Sequence, residues 1–475
     1  MFPSVSNGQA PSPARAWLVL CAMAMLQFFI AVDVTVVNIA LPSIGADFGV
    51  GGHALTWVVV GYTITGGGLL MLGGRLGDLL GRRRVLLSGT AVFGAASLLA
   101  GLAPTFELLV AARLLQGAGE AVALPAAMAV IVLLFPEGPR RSRALSVWAA
   151  VASSGLVLGF VLSGVITAHL GWRWIFLVSV PFILAVLVAA VVLVDADRPV
   201  ERGSASLDLP GAALLTACPL LFTFGVVEAG EPGARAWAVA AALLGAAASG
   251  AAFFRVEARS RNPLLPPGFL SRQTRASRSR VAANLTTMLL SGALSTSFLL
   301  FTFYLQDVLG FGPLAAGVTM VPLALGLIGA SVLVPRLLEA WGARACVLAG
   351  LCCAGGAMAA IALASAVQAG APWLLPAMLL IAAGMGFGIV GLQYIAVSGT
   401  TDGDAGIASG VQRAADQLGG AAGVAVYVGL GFAPALHSAD PFLVAAALSA
   451  GGLALGAVVI RSSPAAESAD VPDPA

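Results

Sequence analysis

Long uninterrupted runs of apolar residues recur along the whole chain, and short polar segments separate them. These runs are apolar on every side, unlike the alternating strands of about 10 residues that build membrane barrels. A helix needs about 20 such residues to cross a hydrocarbon core of about 30 Å, where lipid offers its backbone no hydrogen bonds. The pattern predicts an all-α polytopic membrane protein with fourteen transmembrane helices, near residues 16–42, 54–73, 85–104, 107–134, 144–168, 173–194, 209–228, 235–254, 281–305, 313–335, 345–366, 371–397, 406–433 and 441–460.

The composition excludes the soluble classes of protein. Of 475 residues, 59% are hydrophobic and 10% are charged, whereas soluble domains carry about 25% charged residues. The mean hydropathy is +0.98. A net charge of +2 gives no reason to expect a nucleic-acid partner. Five scattered cysteines and three distant histidines form no metal-ligand spacing, so we expect neither a metal nor another cofactor.

The distribution of arginine predicts how the chain is oriented. With the amino terminus inside the cell, twenty of the 24 basic residues fall in cytoplasmic segments, and only Arg173 and Arg235 fall in external loops. Arginine and lysine are enriched in cytoplasmic loops of membrane proteins. We therefore expect a multi-pass protein of the cell (plasma) membrane with both termini cytoplasmic.

Two segments of the predicted cytoplasmic loops repeat each other. GRLGDLLGRRR at 74–84 matches PRLLEAWGAR at 335–344 at a constant offset of 261 residues. Each segment follows the second helix of a six-helix set, which is typical of a transporter built from two related halves. We expect an amino-terminal six-helix half, an inserted helix pair with a basic cytoplasmic linker, a carboxy-terminal six-helix half and a disordered cytoplasmic tail, over residues 1–195, 196–275, 276–462 and 463–475.

Five motifs occur in order at these helices. The first span carries D-x-T-x-V-N-x-A-L-P from Asp33, and the fourth carries R-x-x-Q-G-x-G from Arg113. The loop after the second span carries G-x-L-x-D-x-x-G-R-R, 171–176 reads GWRWIF and 305–317 reads LQDVLGFGPLAAG. Together these motifs resemble the major facilitator superfamily, and within it the 14-helix drug:proton antiporters.

This resemblance implies a fold of two six-helix halves plus two inserted central helices. It also implies proton-coupled efflux of amphipathic drug-like or antibiotic compounds by alternating access, as in multidrug resistance. The partners would be a small-molecule substrate, protons and the lipid bilayer, and the protein would be a monomer. We expect no enzyme activity, and the lack of a G-x-x-x-x-G-K-[ST] loop points to the proton gradient as the energy source.

The fifth span departs from the antiporter signature of that family. Gly155, Gly159 and Gly164 are retained as a helix-packing motif, but Phe160 stands where the family has a proline. The proline is thought to favour exchange over one-way transport. An importer or metabolite carrier of the same fold, working by symport or uniport, is therefore the alternative function.

Ionisable residues within spans are the candidates for coupling, because they are costly in lipid and usually face a cavity. Asp33 and Arg113 lie at similar depths, so we expect them to be in contact, either as a structural pair or, as the resemblance implies, in proton coupling. Glu120 shares a helix face with Arg113 about 10 Å away, and Gln116 lies between them. Glu120 is either a proton or cation site, or a protonated carboxyl in a helix contact.

Further candidates fall into two sets. Asn38 and Tyr62 are expected to line the cavity, and Arg413 and Asp416 form an i,i+3 pair that is either interfacial or cavity-lining. The second set is a cytoplasmic gating loop, which by resemblance is a conformational latch and otherwise anchors the topology at the anionic leaflet. Its residues are Gly74, Asp78, Gly81, Arg82 and Arg83.

Overall fold

All regular structure in the described part of the chain is helical. This computed structural model describes residues 13–135, 138–195, 208–230, 234–260, 263–265, 274–398, 405–432 and 440–464. The α-helices are α1 (Pro13–Phe48), α2 (Gly52–Leu80), α3 (Arg82–Gly101), α4 (Phe106–Leu134), α5 (Pro139–Leu170), α6 (Trp174–Leu177), α7 (Ser179–Leu193), α8 (Leu209–Gly230), α9 (Ala236–Glu257), α10 (Arg275–Phe303), α11 (Pro313–Thr319), α12 (Val321–Ala366), α13 (Leu375–Gly384), α14 (Val390–Val397), α15 (Ala405–Gly423) and α16 (Pro441–Ser462).

Short segments of other helical geometry continue several of these helices. A 3₁₀ turn precedes α13, and π-helical segments follow α10, α13 and α15 at Tyr304–Val308, Met385–Ile389 and Val424–Gly429. The tail from residue 465 and the linker residues 196–207, 261–262 and 266–273 lie outside the described residues.

The predicted all-α polytopic fold is confirmed. Among the described residues, twelve helices are long and apolar enough to cross a membrane, and α5, bent by 41° between its two parts, would make thirteen. The predicted span 406–433 corresponds to α15 and its π-helical continuation. This helix packs against α10 and α2 inside the bundle. It carries Arg413, Asp416 and Gln417. These polar residues keep its mean hydropathy below that of a membrane-spanning helix.

The helices form two groups and an additional pair. In the first group, α1 packs along α5 and α4 packs against α2 and α3. In the second group, α10 packs against α15 and α16, and α12 packs against α13. The predicted inserted helices α8 and α9 pack on each other, and α8 also contacts α2 and α15.

The repeated loop segments have the same local structure. Gly81 and Gly342 both adopt a left-handed backbone, with φ of 97° and 77°, which only glycine adopts without strain. Arg83 donates to the carbonyl of Val191 at the end of α7. Arg344 donates to the carbonyl of Ile460 at the end of α16, at 2.8 Å. The two copies therefore hold equivalent helix ends.

The first helix of each group also holds the last helix of that group. Arg15 Nε at the start of α1 donates to the carbonyl of Leu193 at 3.0 Å. Ser279 Oγ near the start of α10 donates to the carbonyl of Pro464 at 2.7 Å. Each group of helices is thus closed at its predicted cytoplasmic end.

Two seams join the groups. In the seam between α2 and α15, a Cβ on Gly67 would lie 2.9 Å from Gln417 Cβ and 3.1 Å from Leu418 Cγ. In the seam between α5 and α11, a Cβ on Gly164 would lie 2.6 Å from the carbonyl oxygen of Pro313. Glycine therefore allows the helices to approach this closely, and the first seam positions the polar residues described next.

Candidate functional site

A buried ion pair joins α1 and α4, as the depths of the two residues predicted. Arg113 Nη1 lies 2.5 Å from Asp33 Oδ2, and the two residues are only 1% and 6% exposed. A charged pair this deep is stable only when its remaining hydrogen-bonding capacity is satisfied. The neighbouring residues provide those partners.

Four groups surround the guanidinium of Arg113. Its Nε donates to the carbonyl of Val58 on α2 at 2.8 Å, and its Nη1 donates to Gln116 Oε1 at 2.9 Å. The rings of Tyr62 and Phe176 lie 4.4 and 5.7 Å from the guanidinium carbon, where an aromatic face attracts a cation. Arg113 therefore ties α4 to both α1 and α2.

Gln116 extends the network to α3. Its Nε2 donates to Asp33 Oδ1 at 3.2 Å and to Ser97 Oγ at 2.9 Å. Asp33 consequently accepts hydrogen bonds from both Arg113 and Gln116. Ser97 is completely buried. Its role could not be predicted from the sequence, because a lone serine in an apolar span is common.

Glu120 lies about two turns after Arg113 on α4, at the seam with α15. It is 2% exposed, and its Oε1 accepts a hydrogen bond from Gln417 Nε2 at 3.3 Å. Its Oε2 would lie 3.3 Å from a Cβ on Gly66, so the glycine leaves room for the carboxyl. This contact connects the first helix group to the second.

Three polar atoms at this seam have no partner at full hydrogen-bond geometry among the described residues. They are Glu120 Oε2, Tyr62 Oη and Gln417 Oε1. The side chains of Tyr62 and Glu120 lie close enough to form a weak hydrogen bond with each other. Buried polar atoms are usually paired. Buried polar atoms this loosely paired, between the two helix groups, are therefore candidates for contact with a ligand or water.

α15 contributes two charges to the same region. Arg413 is exposed and interacts electrostatically with both Glu120 and Asp416. Asp416 is half-buried and accepts a hydrogen bond from Ser291 Oγ on α10. Arg413 therefore has a carboxyl of each helix group in its electrostatic surroundings.

Asn38 is not part of this network. Its Nδ2 donates to the carbonyls of Val34 and Thr35 at 3.3 and 3.5 Å, within its own helix. Gln417 joins the site although the sequence interpretation did not include it. Its spacing of four residues from Arg413, which places both on one helix face, was the available signal.

The gating-loop residues lie where α2 turns into α3. Gly74 is in the last turns of α2, and Gly81, Arg82 and Arg83 form the junction. Asp78 belongs to α2, but its side chain lies outside the described part. Arg75 in the same segment donates to the carbonyl of Pro263 in the linker. The loop is therefore connected to α7 through Arg83 and to the inserted pair through Arg75.

The glycines of α5 serve two different contacts. A Cβ on Gly155 would lie 2.7 Å from Ala31 Cβ, and Gly159 likewise faces Thr35, so both allow α5 to pack on α1. Gly164 instead faces α11 in the other helix group. The ring of Phe160, next to this seam, packs at 5.5 Å against that of Phe298 on α10.

The chain is thus a membrane bundle of two helix groups, with a buried ion pair inside the first group and a buried carboxyl at the seam between the groups. Residues 23–424 match the family model of the Major Facilitator Superfamily. The chain belongs to this superfamily, which confirms the family predicted from the motifs.

The chain is similar to several curated antibiotic-resistance and export proteins. It is 50% identical over 446 residues to the lincomycin resistance protein of Streptomyces lincolnensis, covering 94% of this chain and 91% of that protein. The puromycin resistance protein of Streptomyces alboniger is 37% identical, with 88% and 82% covered. The cephamycin export protein CmcT of Amycolatopsis lactamdurans is 39% identical, with 88% and 86% covered.

Solved structures show the same fold at low sequence identity. The POT family transporter PepTSo matches with a TM-score of 0.69 at 14% identity, covering 95% of this chain and 98% of that one. The nucleoside transporter NupG matches with a TM-score of 0.65 at 12% identity, covering 94% and 99%. Together with the family match, the apolar helices make the chain a multi-pass membrane protein.

Proposed function

We propose that this chain exports amphipathic, antibiotic-like compounds in exchange for protons. The observation that carries the proposal is the seam where Glu120 on α4 accepts a hydrogen bond from Gln417 on α15 and interacts with Arg413. An ionisable group in contact with both helix groups can link its protonation to their relative position. The export proteins similar to this chain support the direction of transport.

The charge on Glu120 would determine how strongly the two helix groups attract each other at the seam. When ionised, it attracts Arg413 and a cationic cargo, and when protonated it does neither. A proton arriving from outside would therefore favour release of the cargo there, and loss of the proton to the cytoplasm would reset the site. Asp33 is the second candidate for proton uptake, and its ion pair with Arg113 would open on protonation.

The remaining parts of the chain would support alternating access. We propose that the halves 1–195 and 276–462 rock against each other, with close packing at Gly67 and Gly164 allowing the seams to slide. The gating loop would act as the latch between them. We place the protein in the plasma membrane as a monomer, with both termini cytoplasmic.

A lincosamide is the first cargo to test, because the lincomycin resistance protein is half identical to this chain. The purified chain is reconstituted into liposomes that contain a pH-sensitive dye, and lincomycin or puromycin is added on one side. We expect proton movement opposite to the movement of the cargo. Cargo movement with no opposing proton flux, for every compound tried, would contradict exchange.

The variant Glu120→Gln tests the role of the seam. We expect it to abolish export of cationic compounds more strongly than export of neutral compounds. Glu107→Gln is the matched control, because Glu107 is an exposed residue in the first turn of the same helix. Unchanged transport of both cargo classes by Glu120→Gln would remove this residue from the mechanism.

An importer or metabolite carrier of the same fold is the second candidate, favoured by Phe160 in place of the family's proline. The two functions differ in the direction of accumulation. Cells that express the chain should accumulate less lincomycin than control cells, and a protonophore should abolish that difference. Greater accumulation in the expressing cells would favour import.

A further inference from the structure

A short piece of the linker after α9 is buried at the predicted cytoplasmic end of the bundle. Leu264 and Leu265 are only 2% and 9% exposed, and they stand between Pro263 and Pro266 in the sequence. Proline has no N–H group, and the residue before a proline prefers an extended conformation. Residues 263–265, the strap, therefore have only two backbone N–H groups that need acceptors.

Glu257, the last residue of α9, holds the strap from one side. It is 3% exposed, and its Oε2 accepts a hydrogen bond from the N–H of Leu265 at 2.9 Å. Its carboxyl also lies close enough to the N–H of Leu264 for a weak hydrogen bond. Burial of a carboxyl is unfavourable unless it is hydrogen-bonded. Glu257 and the strap therefore satisfy each other, and neither is stable in this position without its partner.

Arg75 connects the strap to the first helix group. Arg75 lies in the last turns of α2, and its Nη2 donates to the carbonyl of Pro263. Its charge also interacts with the carboxyl of Glu257. One side chain of α2 thus contacts both the strap and the residue that holds the strap in place.

The side chain of Leu265 connects the strap to the second helix group. It forms a small apolar cluster with Phe253 of α9 and Ala408 of α15. Met71 of α2 and Val411 of α15 pack against this cluster. Among the described residues, the cluster is separate from the two large apolar clusters of the bundle. The strap therefore lies in contact with a helix of each group, at the end where α2 stops and α15 begins.

We propose that the strap is a restraint that holds the predicted cytoplasmic ends of α2 and α15 together. When these ends separate, the strap loses either its hydrogen bond from Arg75 or the apolar contacts of Leu265, and Glu257 keeps it in position between the two helices. The strap therefore lowers the population of forms that are open at this end. Its effect on transport rests on the proposed export by alternating access, whereas the restraint itself does not.

Distances between two spin labels measure the restraint without any cargo or proton gradient. The labels are attached through Leu80→Cys at the end of α2 and Ser409→Cys near the start of α15, which are both exposed positions. The full chain, with its native cysteines replaced and its melting temperature retained, is placed in lipid nanodiscs. Double electron–electron resonance then gives the populations of short and long distances. With the native strap we expect the short distance to predominate.

Two variants release the strap in different ways. Glu257→Leu removes the acceptor of its N–H groups, and Leu265→Ala removes most of its apolar side chain. Each should shift the equilibrium towards the long distance about tenfold, as expected for loss of a hydrogen bond to a charged group or of a buried leucine side chain. Glu228→Leu, near the other end of α8, and Leu209→Ala, exposed at the start of α8, are the matched controls and should keep the native distances.

Exchange in liposomes shows whether the restraint acts on transport. The apparent affinity for a ligand is reduced by the fraction of the protein that is open to it. Lincomycin supplied on the cytoplasmic side should therefore give half-maximal exchange at an about tenfold lower concentration with Glu257→Leu than with the native chain. If the distances shift as expected but no compound is exchanged, the export function is wrong and the restraint is supported.

Two results would overturn the proposal. Identical distances in the native chain, in Glu257→Leu, in Leu265→Ala and in the variant with both changes would show that the strap does not hold α2 and α15 together. A shift of the same size in Glu228→Leu or Leu209→Ala would show a general loosening of the bundle instead. Melting temperatures of all variants are measured, and Leu265→Ala alone decides the result if Glu257→Leu unfolds.

Discussion

The ion pair between Asp33 and Arg113 gives the sharpest quantitative prediction. Asp33→Asn keeps the shape of the side chain and removes its charge. Loss of one partner from a buried pair costs about 3–5 kcal/mol. Here the asparagine NH₂ would also face a donor, whether it lies towards Arg113 at 2.5 Å or towards Gln116 at 3.2 Å.

The remaining contacts of Arg113 reduce this cost. The carbonyl of Val58 and the oxygen of Gln116 still accept its hydrogen bonds, and the ring of Tyr62 stays beneath the guanidinium. Since the guanidinium keeps these partners, we expect a loss at the lower end of that range, about 3 kcal/mol, which lowers the melting temperature by about 6 °C at about 2 °C per kcal/mol.

Thermal unfolding in detergent measures this loss, and a second variant shows its origin. Asp33→Asn combined with Arg113→Gln removes both charges and should recover at least half of the lost stability. If the double variant recovers stability but not proton exchange, the pair takes part in coupling and is more than a structural contact. A melting temperature of Asp33→Asn equal to that of the wild type, or no recovery in the double variant, would refute the reasoning.

Three further predictions concern packing and backbone. Gly81→Ala should lower stability by about 1 kcal/mol because of its φ of 97°, whereas Gly77→Ala in the preceding helix α2 should not, as thermal unfolding will show. Gly164→Leu would force α5 away from α11 and should lower exchange in liposomes at least tenfold, while the lipid-exposed change Val165→Leu preserves it. Ser97→Ala should lower the melting temperature by about 2 °C, through loss of a hydrogen bond worth about 1 kcal/mol, with no change in transport. Equal stability of Gly81→Ala and Gly77→Ala, or equal exchange by Gly164→Leu and Val165→Leu, would contradict the corresponding contact. So would an unchanged melting temperature of Ser97→Ala.

Contacts within one helix group followed from the sequence, because depth in the membrane limits which residues can meet. Asp33 and Arg113 occur at similar distances from the ends of their spans, and the structure pairs them. The repeat at Gly81 and Gly342 likewise predicted equivalent loops, and their backbones agree.

Contacts between the groups did not follow from the sequence. The hydrogen bond between Glu120 and Gln417 depends on how α2 and α15 pack, and that packing is set by glycines whose partners are invisible in one sequence. The polar residues of α15 indicated only how deep in the membrane they lie, and not which helix they contact.

The closure of each helix group by its own first and last helices has a consequence for biosynthesis. Arg15 donates a hydrogen bond to Leu193, and Ser279 donates one to Pro464. The contacts that close each helix group therefore need no residue of the other group. The first helix group can therefore fold and close while the ribosome is still translating the second group. Two separately translated fragments, divided within the linker at residues 266–273, should accordingly assemble into an active protein when they are produced in the same cell.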